Sequence, residues 1–335
     1  MVCRIPIFLV LGLSILAHAA DPTVLRTLKV GGEGRWDYVS LDPAAGRIYV
    51  PRSSHTMVLD LDGNLKGDLQ GTAGVHGVAF SRELDRGWTS NGQADSVTEF
   101  KLSTLEVVKV IKVTGKNPDA ILFEPATRRL FTFNGGGKNA TVIDATRSEV
   151  IATLDMGGKP EFAAGDGKGR VYVNNEDKAE INVIDARALK VVASWPIKPL
   201  EEPSGLAMDV EHNLLFSVAG NQRAAVVDAG SGRVLAIVPI GAGTDGVAFD
   251  PGTGCAYASN GEGTLTIIRP DGKGGFATST IPTRRGARTI VANPVSHRLY
   301  LPTADFQPLP KDAKPGTRPA MVAGSFQLLE VGEAH

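Results

Sequence analysis

The strongest constraint on the fold of this chain is a pattern that recurs seven times along its 335 residues. Each copy opens with a short apolar strand, and the second position of that strand recurs after 39, 43, 42, 43, 41 and 43 residues. Each complete copy then continues through a turn into further short strands. Units of this length that hold four short strands are typical of the blades of a β-propeller.

The later strands of each copy support an all-β fold. The second strands are aromatic or β-branched, as in Arg-Val-Tyr-Val at 170–173, and the third strands end on sequences such as Ile-Asp-Ala at 184–186. After position 20 we find no long stretch whose apolar residues follow helical spacing. The sequence therefore predicts a seven-bladed β-propeller built from four-stranded blades.

The two ends of the chain indicate how the ring closes. Residues 24–30 (Val-Leu-Arg-Thr-Leu-Lys-Val) have the pattern of a fourth strand, although they precede the first unit. The last unit supplies three strands and ends near residues 326–329. We therefore expect the N-terminal strand to complete the seventh blade, which leaves no full-length sheet edge open at the closure.

The repeat resembles that of the YVTN, or YncE-like, β-propeller proteins. The likeness is carried by Tyr-Val-Asn-Asn at 172–175 with Val-Ile-Asp at 183–185, and by Phe-Thr-Phe-Asn at 131–134 with Val-Ile-Asp at 142–144. It covers essentially the whole chain after position 20, mostly at strand and turn positions. The resemblance implies an exported propeller that binds a ligand or a partner. Seven-bladed lactonases and streptogramin lyases are also similar in architecture, and we carry none of their catalytic residues over to this chain.

The N-terminus has the features of a signal peptide over residues 1–19. Arg4 supplies a positive charge, residues 5–16 form an apolar stretch too short to span a membrane comfortably, and Ala-His-Ala at 17–19 is a small-x-small cleavage motif. We expect one propeller domain over residues 20–335, located in the periplasm or secreted. Cys255 is the only cysteine after the signal peptide, so no internal disulfide is expected.

The charge balance narrows the choice of partners. The chain has 35 Lys and Arg against 36 Asp and Glu, so no overall field attracts nucleic acid or anionic lipid. Nothing after the signal peptide has the length of a transmembrane segment. We expect a monomer whose partner is a small polar ligand or another protein.

One position of the repeat is the best candidate for a functional site. Inner strands of a propeller begin around one mouth of the central channel, so each blade can contribute one side chain there. The second position of each first strand is mostly titratable, where a structural position would favour a small residue. Its seven occupants are Asp37, His76, Asp119, Glu161, Ser204, Asp245 and Arg288.

These residues allow several functions. Asp37, Asp119, Glu161 or Asp245 with His76 would suit a divalent cation, and the same histidine with a carboxylate would suit acid/base catalysis, with Arg288 binding an anionic group. Simple recognition of a polar ligand or peptide is a third function. The alternative to all three is a hydrated channel mouth that binds no ligand. We favour a binding scaffold, with a lactonase-like hydrolase or lyase as the alternative. No standard catalytic motif is present.

A proline-rich insertion interrupts the last unit. Residues 302–325 contain five prolines and lie between the second and third strands of that unit, on the side of the predicted mouth. We expect this segment to cover part of the mouth. A surface loop that does not contact the mouth is the alternative.

Overall fold

A computed structural model describes residues 21–310, 312, 314 and 317–334. These residues form seven antiparallel sheets of four strands each, which confirms the predicted seven-bladed propeller. The predicted signal peptide lies outside the described residues. Within them, the helical segments are two short 3-10 turns, Gly92–Ala94 and Glu176–Lys178, and no helix is long and apolar enough to cross a membrane.

Blades 1 to 3 follow one another along the chain, each as a meander of adjacent strands. Blade 1 consists of β2 (Ser40–Asp42), β3 (Arg47–Pro51), β4 (Thr56–Asp60) and β5 (Leu65–Leu69). Blade 2 consists of β6 (Val75–Ser81), β7 (Arg86–Asn91), β8 (Ser96–Lys101) and β9 (Val107–Lys112). Blade 3 consists of β10 (Pro118–Glu124), β11 (Arg129–Asn134), β12 (Asn139–Asp144) and β13 (Glu149–Asp155).

Blades 4 to 6 repeat this order. Blade 4 consists of β14 (Pro160–Gly165), β15 (Arg170–Asn175), β16 (Glu180–Asp185) and β17 (Lys190–Pro196). Blade 5 consists of β18 (Pro203–Asp209), β19 (Leu214–Ala219), β20 (Arg223–Asp228) and β21 (Val234–Pro239). Blade 6 consists of β22 (Thr244–Asp250), β23 (Cys255–Asn260), β24 (Thr264–Pro270) and β25 (Phe276–Pro282).

Blade 7 joins the two ends of the chain. Its strands are β26 (Val291–Ala292), β27 (Leu299–Thr303), β28 (Gln327–Gly332) and, at the outer edge, β1 (Thr23–Lys29). The N-terminal strand β1 pairs antiparallel with β28, as the sequence predicts, with bounds shifted by one residue from the predicted 24–30. The closure is therefore held by backbone hydrogen bonds between segments about 300 residues apart.

The first strand of each blade lines the central channel. These strands contact one another in a complete circle, from β2 through β6, β10, β14, β18 and β22 to β26 and back to β2. Seven clusters of buried apolar side chains lie between them and the outer strands, one at each junction of neighbouring blades. Burial of apolar surface contributes roughly 25 cal/mol per Å² to the free energy of folding. The inter-blade clusters are therefore the main source of stability for the ring.

The asparagine that closes many of the second strands has a structural role. Asn91, Asn134 and Asn260 are fully buried, and each donates a hydrogen bond to a threonine hydroxyl of the third strand at 2.8 to 3.0 Å. Such bonds satisfy a buried amide and tie the second strand to the third. These repeated asparagines therefore belong to the scaffold of the blade.

Candidate functional site

The backbone of the inner strands sets the direction of the candidate side chains. In five of the seven blades, the pairing between the first and second strands shifts register at or directly after the second residue. A register shift of this kind bends a strand and changes the direction of its side chain. Asp37 and Arg288, in the other two blades, lie in irregular chain just before β2 and β26. In every blade this position therefore lies outside the regular pairing of the first and second strands.

Three of the predicted residues meet on one side of the mouth. The Nδ1 atom of His76 lies 2.7 Å from an oxygen of Asp37 and 3.5 Å from Oδ1 of Asp119. One ligand atom from each of these residues lies within 4.8 Å of the other two. Their side chains are 14 to 25% exposed, so a small solute can reach them from the mouth. This group is called the acidic cluster below.

Within the acidic cluster, His76 is surrounded by hydrogen-bond acceptors. Burial would lower the pKa of its imidazole, but the hydrogen bond to Asp37 and the charge of Asp119 raise the pKa to about 9. A hydrogen bond with Asn117 acts in the same direction. His76 is therefore an imidazolium at neutral pH in the absence of a ligand.

The carboxylate of Asp119 is not satisfied by its surroundings. Its Oδ1 atom is buried and has no hydrogen-bond partner among the described residues, because the nearby His76 proton is directed to Asp37. Burial raises the pKa of Asp119; the charge of His76 lowers it and the charge of Asp37 raises it further. A buried, partnerless carboxylate oxygen is costly, so Asp119 destabilises the folded chain unless a proton or a cation is added.

Glu161 forms a separate contact beside the acidic cluster. It accepts hydrogen bonds from the Tyr38 hydroxyl at 3.2 Å and from Lys159 at 2.6 Å, and Lys159 also pairs with Glu176. Burial and the charge of Asp119 raise the pKa of Glu161. Glu161 and Asp245, which the sequence analysis also considered as cation ligands, lie outside the three-residue group.

Tyr38 and Phe162 form the floor of the mouth. Tyr38 is 8% exposed, and its ring lies 4.7 Å from that of Phe162 in an edge-to-face arrangement. The space left between these two residues and the inner strands of blades 5 to 7 is about 20 Å³. That volume holds on the order of one water molecule, so a ligand in the mouth would be stopped at this level.

Asp245 and Arg288 occupy the other side of the mouth. Their side chains form an ion pair at 2.9 Å, with about a quarter of each exposed. Burial raises the pKa of Asp245, although the charge of Arg288 opposes the shift. Ser204, the remaining predicted residue, donates a weak hydrogen bond to the Thr244 carbonyl at 3.4 Å. The predicted positions therefore divide into an acidic group and an ion pair, with one neutral member.

Several residues at the mouth were not singled out from the sequence. Lys159 lies two positions before Glu161, and Tyr38 directly follows Asp37, so both carry only the weak signal of adjacency. Arg35, Arg285 and Arg318 also reach this end of the channel. Each comes from a different loop, and no shared position in the repeat marks them.

Residues 302 and 303 of the predicted insertion belong to β27, and Phe306, Arg318 and Pro319 from its remaining described part line the same cavity as Asp245 and Arg288. Phe306 and Met321 pair as an isolated β-bridge, and the Pro319 carbonyl accepts a hydrogen bond from Arg35 at 3.0 Å. Trp36, which precedes the first predicted residue, packs against Phe306 with ring centroids 6.1 Å apart. These contacts connect the insertion of blade 7 to the chain that enters blade 1.

Comparison with known proteins supports the fold of this chain but identifies no family. No protein-family profile and no curated protein matches this sequence. Among solved structures, U3-55K has a TM-score of 0.74 at 10% identity, covering 92% of this chain and 98% of that chain. The RRP9 WD40 repeats have a TM-score of 0.74 at 9% identity, covering 93% and 97%.

An enzyme is also among the similar structures. Kuenenia stuttgartiensis hydrazine synthase has a TM-score of 0.67 at 16% identity and covers 82% of this chain and 92% of that chain. Identities this low show a shared fold alone. The chain is therefore a β-propeller, similar in architecture to U3-55K, to the RRP9 WD40 repeats and to a chain of hydrazine synthase.

Proposed function

We propose that this chain is an exported binding scaffold whose channel mouth holds a divalent cation at Asp37, His76 and Asp119. The cation would provide the contact point for a small polar ligand. Because these side chains are half-buried above a closed floor, a small solute fits the mouth better than a broad protein surface does. A protein partner that inserts a single side chain would use the same contact.

The ligand set favours a transition metal or zinc over calcium. Two carboxylates and one imidazole are three donors, and their ligand atoms lie within 4.8 Å of one another. Zn²⁺ and Mn²⁺ accept such mixed nitrogen and oxygen donors, whereas Ca²⁺ requires six to eight oxygens. Three protein donors would leave at least one coordination position for water or a ligand.

The observation that carries this proposal is the partnerless Oδ1 atom of Asp119. Acidic residues are common around channels, but their oxygens are ordinarily hydrogen-bonded or hydrated. This one is buried and accepts no hydrogen bond from the described residues, and the Nδ1 atom of His76 lies 3.5 Å from it. A cation at this point would satisfy the oxygen and stabilise the charged form of Asp119.

The direct test is metal binding by the full mature chain. Protein stripped with a chelator would be titrated with Zn²⁺, Mn²⁺, Ca²⁺ and Mg²⁺ by calorimetry, with thermal unfolding as a second readout. We expect one site for Zn²⁺ or Mn²⁺, and a loss of affinity of at least about tenfold in Asp119→Asn. Binding should also weaken as pH falls, because the metal must displace the His76 proton.

A matched control is available in Glu106→Gln. Glu106 is exposed and pairs with Lys101 on the outer part of blade 2, so this change removes the same charge far from the mouth. Its metal affinity should equal that of the wild type. Absence of saturable metal binding in the wild type, or equal affinity in Asp119→Asn, would exclude the cation site.

Hydrolysis or elimination at the same mouth is the second candidate function. The supporting observation is the 2.7 Å contact between His76 and Asp37, since a carboxylate that orients a histidine is a common arrangement for a general base. Lactone and ester substrates would be assayed with wild type, His76→Ala and Glu161→Ala. Turnover by the wild type that His76→Ala abolishes would support an enzyme, and equal rates in all three would remove both residues as catalysts.

Export is a separate part of the proposal. It is supported by the apolar stretch at residues 5–16 and the Ala-His-Ala motif at 17–19. Expression of the full chain in a Gram-negative host, followed by N-terminal sequencing of the periplasmic fraction, should find a chain that starts at Ala20 or Asp21. An uncleaved chain in the cytosolic fraction would contradict this part.

A further inference from the structure

A cavity of about 410 Å³ opens on the side of the mouth opposite the acidic cluster. It lies between blades 6, 7 and 1 and is bounded in part by the insertion. Small-molecule sites in proteins commonly have volumes of roughly 300 to 1,000 Å³, so the cavity is large enough for a compact organic ligand. None of its lining residues belongs to the acidic cluster.

The charge of this cavity is strongly positive. Four guanidinium groups line it, and among the described residues Asp245 is the one carboxylate in the lining; the four are Arg35, Arg285, Arg288 and Arg318. Asp245 is paired with Arg288, whereas the other three arginines form no ion pair with any described residue. Converging cations in a concave site attract an anion.

Aromatic side chains supply the apolar wall. Trp36 and Phe306 both line the cavity, with ring centroids 6.1 Å apart and ring planes at 46°. Trp36 is buried and also packs on Phe326 at 5.4 Å, so its position is fixed by the core between blades 7 and 1. A flat ring in the cavity would have an aromatic surface to pack against.

The remaining wall is backbone of three glycines, which place no side chain in the cavity. Gly261 donates to the Gly243 carbonyl at 3.0 Å, and Gly286 donates to the Gly261 carbonyl at 2.7 Å. A Cβ atom at Gly286 would come within 2.5 Å of the Phe306 ring, and its φ of +87° also favours glycine. The space is therefore maintained by backbone that is already hydrogen-bonded, without a side chain that must move aside.

We infer that this cavity binds a small aromatic anion, whose carboxylate or phosphate is held by Arg285 with Arg35, Arg318 or Arg288. The guanidinium fork matches the paired oxygens of either group, and Trp36 with Phe306 would contact the ring. The inference does not rest on the proposed cation, because the two sites share no residue. A ligand long enough to reach both would carry its anion here and its polar end at the acidic cluster.

The experiment is a calorimetric titration of the mature chain with four probes at low ionic strength. Benzoate and phenyl phosphate carry both a ring and a charge, acetate lacks the ring, and benzyl alcohol lacks the charge. We expect saturable binding of benzoate or phenyl phosphate, with acetate and benzyl alcohol weaker by about tenfold each, and weaker binding at high salt.

Variants then localise the binding. Arg285→Gln should weaken the aromatic anion by about tenfold, because a charge-assisted hydrogen bond is lost from an exposed residue with no structural partner. Arg233→Gln, which removes the same charge from an exposed turn outside the cavity, should leave affinity unchanged. Asp119→Asn, which removes a cation ligand that does not line this cavity, should not weaken the aromatic anion, and this separates the site from the cation site.

Three results would overturn the inference. One is the absence of saturable binding of benzoate and of phenyl phosphate by the wild type. Another is equal affinity of the wild type and Arg285→Gln for the probe that binds. Equal weakening by Arg285→Gln and Arg233→Gln would likewise show that net charge, and not this cavity, attracts the anion.

Discussion

The two sides of the channel mouth carry opposite charge, although the same position of the repeat contributes side chains to both. On the acidic side, Asp37, His76 and Asp119 come from three consecutive blades, and one ligand atom of each lies within 4.8 Å of the other two. On the other side the inner-strand position supplies the pair Asp245 and Arg288, and nearby loops add three more arginines. A repeated backbone thus offers equivalent places, and the residues placed there decide which ligand charge each side accepts.

The two sides also differ in burial, and this difference changes their energetics. The acidic cluster is half-buried above Tyr38. Burial raises the pKa of Asp119, whereas burial would lower the pKa of His76 and the carboxylates of Asp37 and Asp119 raise it. Arg35, Arg285 and Arg318 are exposed and stay hydrated until a ligand arrives. The acidic side therefore stores an unfavourable interaction that a ligand can relieve, whereas the basic side offers attraction at little cost to the fold.

The largest expected effect concerns the floor that both sides share. Tyr38→Ala should lower the free energy of unfolding by about 3 kcal/mol, because it removes a buried ring that packs on Phe162. Tyr38→Phe keeps the ring and loses the hydrogen bond to Glu161, so it should cost only about 1 kcal/mol. Urea unfolding of both variants measures the difference, and equal losses would show that the ring does not support the floor.

The second effect is the change in stability when one carboxylate is removed from each side of the mouth. Asp119→Asn should stabilise the metal-free chain by about 1 kcal/mol, because it removes a buried charge whose Oδ1 atom has no partner. Asp245→Asn should not stabilise the chain, since it removes the partner of Arg288. Thermal unfolding of both variants at pH 8 in the presence of a chelator makes the comparison. A lower midpoint for Asp119→Asn would contradict the account of the acidic side.

A smaller effect is the pH dependence of stability. The folded-state pKa values of Asp119 and His76 are raised, the latter to about 9. The stability that each contributes is present below its unfolded pKa and is lost as pH rises through its folded pKa. The metal-free wild type should therefore lose stability between about pH 4 and pH 9, and Asp119→Asn should lose less. Identical pH profiles for the two proteins would argue against a strained Asp119.

The smallest effect tests the basic side. Asp245→Asn should strengthen benzoate binding by about threefold, because Arg288 loses its competing carboxylate and that ion pair is partly exposed. Calorimetry against the wild type at the same salt concentration measures the change. Unchanged or weaker binding would mean that Asp245 itself takes part in holding the ligand.

Much of the fold could be predicted from the chain alone. The spacing of the first strands predicts seven blades, and residues 24–30 predict the closure that β1 and β28 form. Both succeed because strand patterning is local and each blade repeats it. The resemblance to the YVTN repeat family is not confirmed, because no family profile matches the chain.

Only part of the candidate site could be predicted from the sequence. The sequence determined which residue stands at the repeated position of each inner strand, and therefore the charges available at the mouth. It did not determine that His76 faces both Asp37 and Asp119, that Glu161 pairs with Lys159 instead, or that Arg285 and Arg35 share a cavity. Those relations depend on the angle between blades, on the recurring register shift and on the depth of Tyr38. Distances and burial across the ring arise only when the two ends of the chain are joined, and no local pattern contains them.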